Sequence, residues 1–142
     1  MQVEQLLSSK NKTVVTVGSL ETVSEAVSGL AANNIGAILV LDEDGVLSGI
    51  ISERDIVNGL EKFGETLLDE RADVLAVKSL ITCGPKDDIF EVIWLMDANH
   101  IRHLPVVDGR NLVGVISIRD IMKFLLHATD EQSKQLRAVA LT

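Results

Sequence analysis

Two short stretches of the chain carry the same polar residues at the same spacing. Residues 49–56 read GIISERDI and residues 114–121 read GVISIRDI, identical at six of eight positions. Each contains a Ser followed three residues later by an Asp: Ser52 with Asp55, and Ser117 with Asp120. A carboxylate can accept hydrogen bonds from neighbouring sugar hydroxyls, and the free N–H groups at the start of a helix favour phosphate. The pattern therefore indicates two places for a sugar- and phosphate-bearing ligand, although Ser-x-x-Asp is also what an ordinary helix N-cap requires.

Cationic side chains accompany these two stretches. Arg54 and Arg119 lie inside them, and Arg102 with His103 forms a further cationic pair. An arginine can add a charge-assisted contact to phosphate, but Arg54 and Arg119 are equally typical of solvated helix starts or ion-pair partners. His103 is either a phosphate contact or a structural histidine among apolar neighbours. Asp97, His100 and His103 lie at three-residue spacing, which invites a metal interpretation. His100 ends a helix and His103 begins a strand, so they need not share a face, and we predict no bound metal.

The two stretches belong to a longer internal repeat. Upstream of them, residues 14–27 align with residues 80–93, and residues 33–42 align with residues 99–108. Each copy reads as a strand, a helix, two strands joined by a tight turn, and a second helix. The order β-α-β-β-α therefore occurs twice, which predicts an α/β (α+β) fold. Because roughly 60 residues are too few to bury an adequate core alone, we expect the copies to pack together with pseudo-two-fold symmetry.

The repeat also predicts where the parts of the chain begin and end. The expected parts are a first repeat with an N-terminal helix (1–63), a linker and helix (64–77), a second repeat (78–127) and a C-terminal helical tail (128–142). The opening strands of the two copies are expected at Thr13–Val17 and Ser79–Cys83.

The composition excludes several classes of function. Thirteen Lys and Arg against 21 Asp and Glu give a net charge of −8, which disfavours nucleic acid and anionic membrane surfaces as partners. A single cysteine, Cys83, forms no internal disulfide and favours a reducing compartment. No apolar run reaches the roughly 20 residues of a membrane span, and the first ten residues do not read as a signal peptide. We therefore expect a cytoplasmic protein, and, without a motif that activates a nucleophile, not an enzyme.

The repeated motif resembles that of a known family. Gly, two apolar residues, Ser, any residue, Arg, Asp and an apolar residue, preceded by an apolar strand and a Gly-containing turn, is similar to the CBS domain of the cystathionine-β-synthase family. The segment IRHLPVVD at 101–108 is typical of it. Two copies in register resemble a Bateman module, here expected as a stand-alone type. In that family the Ser of the motif contacts phosphate and the Asp binds the ribose hydroxyls, roles that the resemblance assigns to Ser52 and Asp55 and to Ser117 and Asp120.

The resemblance also implies two clefts between the copies. It places one group of residues with Asp55: Leu80, Ile81, Ile101, Arg102 and His103. It places another with Asp120: Val14, Val15, Ile35, Gly36 and Ala37. The apolar members would cover the adenine ring. Since Gly36 and Ala37 replace Arg102 and His103, a phosphate-rich ligand is expected to prefer the cleft of Asp55.

The implied function is a regulatory sensor of adenine nucleotides. AMP, ADP or ATP, the last with Mg²⁺, would shift the relative populations of two arrangements and so signal to a regulated partner protein. The family also implies association into a homodimer. Three alternatives remain open: a dimeric interaction module that needs no ligand, a module that binds S-adenosylmethionine or NAD, and an enzyme that hydrolyses the bound nucleotide.

Overall fold

The computed structural model describes residues 1–10 and 14–140. The chain divides into two compact units. The first-repeat unit runs from Val14 to Ile81. The second-repeat unit combines Met1–Thr13 with Thr82–Thr142, of which residues 1–10 and 82–140 are described.

A three-stranded sheet forms the centre of the first-repeat unit. Strand β1 (Thr16–Gly18) pairs in parallel with β2 (Ala37–Leu41), and β2 pairs antiparallel with β3 (Leu47–Ser52). Strand β2 is almost wholly buried, as its uninterrupted apolar sequence predicts. In the turn between β2 and β3, Asp42 Oδ1 accepts hydrogen bonds from the N–H groups of Asp44 and Val46, both at 2.9 Å.

Helices cover this sheet and complete its core. They are α2 (Val23–Asn33), α3 (Glu53–Phe63), a 3₁₀ helix (Gly64–Asp69) and α4 (Ala72–Leu75). Helix α2 begins where the Thr22 side chain accepts a hydrogen bond from Glu25 N at 3.2 Å, and ends at Asn34 in the left-handed conformation. The core cluster consists of Val17, Ala26, Leu30, Ile38, Val40, Ile51 and Ala72.

The second-repeat unit repeats this plan with fewer paired strands. It contains α1 (Val3–Ser9), α5 (Ile89–Ala98), β4 (His103–Asp108), β5 (Asn111–Ser117) and α6 (Ile118–Ala140). Strands β4 and β5 form an antiparallel pair. The buried apolar residues include Val3, Leu6, Ile89, Val92, Met96, Leu104, Val106, Ile116 and Ile121. The chain is thus a mixed α+β fold with two small sheets, as predicted.

The opening strands of the two repeats are shorter in the structure than the sequence predicts. The first starts at Thr16 rather than Thr13; Thr13 lies outside the described residues. Of the strand expected at Ser79–Cys83, one parallel bridge between Cys83 and Val106 remains. The backbone N–H of Cys83 donates to Pro105 O at 3.1 Å, and Cys83 O accepts from Val107 N at 2.8 Å.

The N-terminal helix, which we grouped with the first repeat, packs on the second in space. Val3 N donates to Asp87 O at 2.9 Å, and Glu4 N donates to Pro85 O at 2.7 Å. Gly114 on β5 allows this close approach, since a Cβ atom there would lie 3.1 Å from a methyl carbon of Leu7. The buried side chains of Val3 and Leu6 explain why the helix takes this position.

Two further expected boundaries differ from the structure. The linker expected at 64–77 is part of the first-repeat unit, because Leu67 and Ala72 are fully buried and Val77 exchanges backbone hydrogen bonds with Ile50 at 2.9 and 3.1 Å. The tail expected from residue 128 is no separate element up to Ala140, because α6 continues through that position without a break. Within the described residues, no helix combines the length and apolarity that a membrane crossing requires.

Candidate functional site

The first Ser-x-x-Asp motif lies where β3 passes into α3. Ser52 caps the helix: its Oγ accepts a hydrogen bond from Asp55 N at 3.3 Å. In return, Asp55 Oδ2 accepts from Ser52 N at 2.8 Å and from Ser52 Oγ at 2.9 Å. This reciprocal arrangement is a capping box. The N-cap interpretation is therefore confirmed here, and the box holds the half-buried Asp55 carboxylate in one orientation.

The second motif repeats this geometry between β5 and α6. Ser117 Oγ accepts from Asp120 N at 3.0 Å, and Asp120 Oδ2 accepts from Ser117 N at 2.9 Å. A third group joins it. Lys10, just after helix α1, donates from Nζ to Asp120 Oδ2 and to Val115 O, both at 2.8 Å. The Lys10 and Asp120 side chains are each only 28% exposed, so solvent screens this ion pair incompletely.

The surroundings of Asp120 change its ionisation. Burial alone would raise the pKa of the Asp120 carboxyl, because a charged group loses hydration. The Lys10 ammonium and the hydrogen bonds from Ser117 outweigh this effect, and the net pKa lies below the ordinary value. Asp120 is therefore a carboxylate at neutral pH.

The turn between helix and strand lies beside the motif of its own repeat. In the first-repeat unit, Glu53 N donates to Gly36 O at 3.0 Å, and Ala37 is the strand partner of Ser52. In the second-repeat unit, Ile118 N donates to Arg102 O at 2.9 Å, and His103 is the strand partner of Ser117. We call these two groups of residues the first corner (Gly36, Ala37, Ser52, Glu53, Arg54, Asp55) and the second corner (Lys10, Arg102, His103, Ser117, Arg119, Asp120).

The resemblance and the contacts within each unit group these residues differently. The resemblance assigned Arg102 and His103 to the surroundings of Asp55, and Gly36 and Ala37 to those of Asp120. Within each unit, the backbone contacts bring each pair beside the motif of its own repeat. The expectation that each cleft also draws on the other copy stays a prediction.

The remaining predicted residues take less defined positions. Val15 and Ile35 are partly buried and pack against the core of the first-repeat unit. Half-buried positions without a regular strand or helix hold Val14, Leu80, Ile81 and Ile101. Arg54, Arg102 and Arg119 are exposed, and none of these three forms an ion pair with another described residue.

The two corners differ in charge. In the first corner, Glu53 and Asp55 face one cation, Arg54. In the second, Asp120 is the single carboxylate, and its charge is already paired with Lys10 while two arginines remain. Sequence reasoning missed Lys10, because a lysine 110 residues away carries no local signal of this contact.

Cys83 is not suited to act as a nucleophile, and the described residues form no group that could hold a metal ion. Burial, with a smaller effect from the nearby Asp87 charge, raises the pKa of the Cys83 thiol to about 12. The thiol is therefore protonated at neutral pH and a poor nucleophile. Among the described residues, no group of three His, Cys, Asp or Glu side chains is placed to hold a metal ion.

The fold and corners define a class: tandem α+β repeats that each present a capped Ser/Asp motif where a strand enters a helix. The CBS domain model matches residues 3–62 and 72–127. The chain therefore belongs to the CBS-domain family and carries a tandem CBS pair. The first match begins at residue 3 and so includes helix α1, which in space packs with the second repeat.

Curated relatives agree with this assignment. The chain is 33% identical over 129 residues to the CBS domain-containing protein YhcV of Bacillus subtilis, covering 91% of this chain and 86% of that protein. It is 31% identical over 122 residues to the mitochondrial CBS domain-containing protein CBSX3 of Arabidopsis thaliana, covering 83% of this chain and 59% of that protein. It spans 26% of a third relative, the inosine-5′-monophosphate dehydrogenase of Methanocaldococcus jannaschii, at 33% identity.

Solved structures share the fold. A CBS-domain protein from Agrobacterium tumefaciens superposes with a TM-score of 0.82 at 36% identity, covering 86% of this chain and 91% of that one. A CBS-domain protein from Pyrobaculum aerophilum, solved in complex with AMP, gives a TM-score of 0.75 at 29% identity, with coverage of 84% and 89%. A CBS domain pair in complex with 5′-methylthioadenosine and S-adenosyl-L-methionine gives 0.79 at 26%, with coverage of 90% and 98%.

Proposed function

We propose that this protein is a regulatory module that binds an adenine nucleotide (AMP, ADP or ATP) and signals to a partner protein. The observation that carries the proposal is the capping box at Asp55. It fixes the carboxylate through Oδ2, whereas Oδ1 accepts no hydrogen bond from any described residue. An oriented carboxylate oxygen at the start of a helix is suited to accept a ribose hydroxyl, with phosphate near the helix N-terminus.

The comparisons support an adenosine-containing ligand without selecting one. AMP is bound by the Pyrobaculum protein, and 5′-methylthioadenosine and S-adenosylmethionine are bound by another CBS pair. These ligands share adenosine and differ in the charge of the 5′ substituent. A cationic sulfonium compound is a second candidate, because carboxylates outnumber cations in the first corner. ATP with Mg²⁺ is the most anionic candidate and would favour the cleft that contains Arg102 and His103, which the resemblance places with Asp55.

A thermal-shift panel tests this proposal. The ligands are AMP, ADP, ATP with Mg²⁺, NAD and S-adenosylmethionine, with inorganic phosphate as a control for charge alone. A ligand at one hundred times its Kd adds about 2.7 kcal/mol to the stability of the folded state. For a chain of this size, that raises the Tm by roughly 5–15 °C. No shift with any adenosine compound would refute nucleotide binding and leave the ligand-independent interaction module.

We propose a regulatory rather than a catalytic role. We also propose that the protein acts in the cytoplasm. The ligand would act by its differential affinity for two conformations of the module. A product assay after prolonged incubation with ATP and Mg²⁺ tests for catalysis. Release of ADP that follows the protein concentration would contradict the regulatory role.

We also propose that the module acts as a homodimer. On the second-repeat unit, helices α5 and α6 pack together and leave large apolar side chains in solvent. Trp94 is 73% exposed, Phe90 51%, Leu126 65% and Met122 54%. An exposed apolar group of this size is typical of a protein–protein interface. Light scattering that returned the monomer mass of 15.4 kDa at all concentrations would refute the dimer.

A further inference from the structure

Lys10 makes the second corner chemically different from the first. Its Nζ lies 2.8 Å from Asp120 Oδ2 and 2.8 Å from Val115 O. Both partners belong to the same compact unit as Lys10. In the first corner, Asp55 forms no ion pair within the part of the chain that the structure describes.

The contrast is sharpest at one carboxylate oxygen. In both corners, Oδ2 accepts from the backbone N–H of the capping Ser. On Asp55, the other donor is the neutral Ser52 hydroxyl, which can rotate away from the carboxylate at little cost. On Asp120, Oδ2 also accepts a hydrogen bond from the Lys10 ammonium. A charge-assisted hydrogen bond of this kind is roughly twice as strong as a neutral one.

We propose that Lys10 determines the ligand preference of the second corner, because its ammonium neutralises the Asp120 carboxylate and so weakens it as an acceptor for the ribose hydroxyls of a bound nucleoside. This inference rests on the proposed function. Lys10 binds Asp120 Oδ2, and Oδ1 accepts no hydrogen bond from any described residue. A single ribose hydroxyl at Oδ1 therefore shares the carboxylate with the ammonium, whereas two hydroxyls that use both oxygens must displace it. Displacement leaves the half-buried ammonium with Val115 O as its remaining hydrogen-bond acceptor among the described residues. The first corner is then the stronger ribose site, although both repeats carry the same motif.

The test is calorimetric titration with adenosine, which is uncharged, so that losing a cation does not itself weaken an attraction to phosphate. Asp55→Ala removes the ribose acceptor of the first corner, and the remaining heat reports the second. Into this background we place Lys10→Met, which keeps an unbranched apolar side chain and removes the charge. Its matched control is Lys134→Met. Lys134 also forms ion pairs, with Asp130 and Glu131, but lies about 20 Å along α6 from Asp120.

We expect Lys10→Met to tighten adenosine binding by about two- to fivefold, the range for losing one partly screened ion pair. Lys134→Met should leave the affinity unchanged. Carboxyl NMR should also show a higher pKa for Asp120 in the Lys10 variant, which verifies that the pair is gone. An affinity that is unchanged, weaker or still undetectable after Lys10→Met overturns the inference.

The wild-type protein separates this result from the proposed function. If the wild type binds adenosine or its nucleotides and Lys10→Met gives no gain, only the role of Lys10 fails. If neither the wild type nor the variant binds any adenosine compound, the nucleotide proposal fails, and the role of Lys10 fails with it.

Discussion

The two corners use one motif and reach different electrostatic states. Asp55 and Asp120 are both held by the capping Ser of their own repeat. Of these two carboxylates, only Asp120 has a counter-ion among the described residues. Lys10 supplies it from outside the repeated β-α-β-β-α unit. The capping contact between Ser and Asp is local and therefore occurs in both repeats. The segment that ends in Lys10 packs on the second repeat and changes the charge of that corner.

Helices α2 and α5, which occupy the same position in the two repeats, differ in the side chains that they expose. On α5, Phe90 and Trp94 stand exposed, whereas the aligned positions on α2 are the exposed Ser24 and Ser28. Both helices keep the same buried spacing, with Ala26 and Val92 among the core residues. The inner faces are alike because each must cover a sheet. The outer faces differ, which makes the second repeat the better candidate for association.

The largest expected effect comes from exchanging an outer-face residue between the repeats. Trp94→Ser places the first-repeat residue on α5 and should weaken the dimer by at least about 2 kcal/mol, some 30-fold in Kd, because large aromatic anchors dominate interfaces. Sedimentation equilibrium measures the constant. Ser28→Ala on α2 is the matched control. If the Kd stays the same for Trp94→Ser, the dimer does not use this face.

Removing each carboxylate tests the difference between the corners. Asp55→Ala should cost about 1.5–3 kcal/mol of AMP binding, or roughly 10- to 150-fold, because a hydrogen bond to a charged group is lost. Asp120→Ala should cost less, since Lys10 already occupies that carboxylate. Titration of both variants measures the losses, with Asp44→Ala in the exposed β2–β3 turn as the charge-matched control. Equal losses in the two variants would contradict unequal corners.

The capping serines should be closer to equivalent. Ser52→Ala and Ser117→Ala each remove an N-cap and should lower the free energy of unfolding by about 1 kcal/mol. Urea denaturation followed by circular dichroism measures the change. Ser8→Ala, on the exposed surface of α1, is the control. A cost well below this value at both positions would show that the motif contributes little to the fold.

The smallest expected effect is the pH dependence that Asp120 adds. The pKa of Asp120 in the folded state lies below the ordinary value. At pH values between the folded and the unfolded pKa, the folded state therefore binds fewer protons than the unfolded state. Asp120 therefore stabilises the fold above the unfolded pKa of about 3.9, and this contribution is lost as the pH falls through the lower folded value. Urea midpoints between pH 2 and pH 6 should show a shallower acid loss for Lys10→Met than for the wild type. Identical pH profiles would contradict a stabilising ion pair.

Local patterns made much of the fold and part of the site predictable. Ser52 and Asp55 lie three residues apart, so a helix cap that joins them is visible in the sequence. The antiparallel pairs followed from apolar runs separated by Gly-containing turns such as that at Gly45. The repeat itself identified the second copy of each element.

Contacts between distant segments could not be predicted in the same way. The packing of α1 on β5 depends on the space that Gly114 leaves for Leu7, which no periodicity records. The pairing of Lys10 with Asp120 follows from that packing, because it brings the end of α1 to the start of α6. For the same reason, the strand expected at Ser79–Cys83 was wrong: its apolar pattern could not show that only Cys83 meets a partner strand.

Helix α6 has a mechanical consequence. It runs unbroken from Ile118 to Ala140, about 33 Å at 1.5 Å per residue, and its first turn contains Asp120. A rigid rod hinged at one end magnifies small rotations in proportion to its length. A tilt of about 5° at that first turn would carry the far end through about 3 Å, given this length. If a ligand at Asp120 tilted that first turn, α6 would act as a lever arm and carry the change to its C-terminal end on a larger scale.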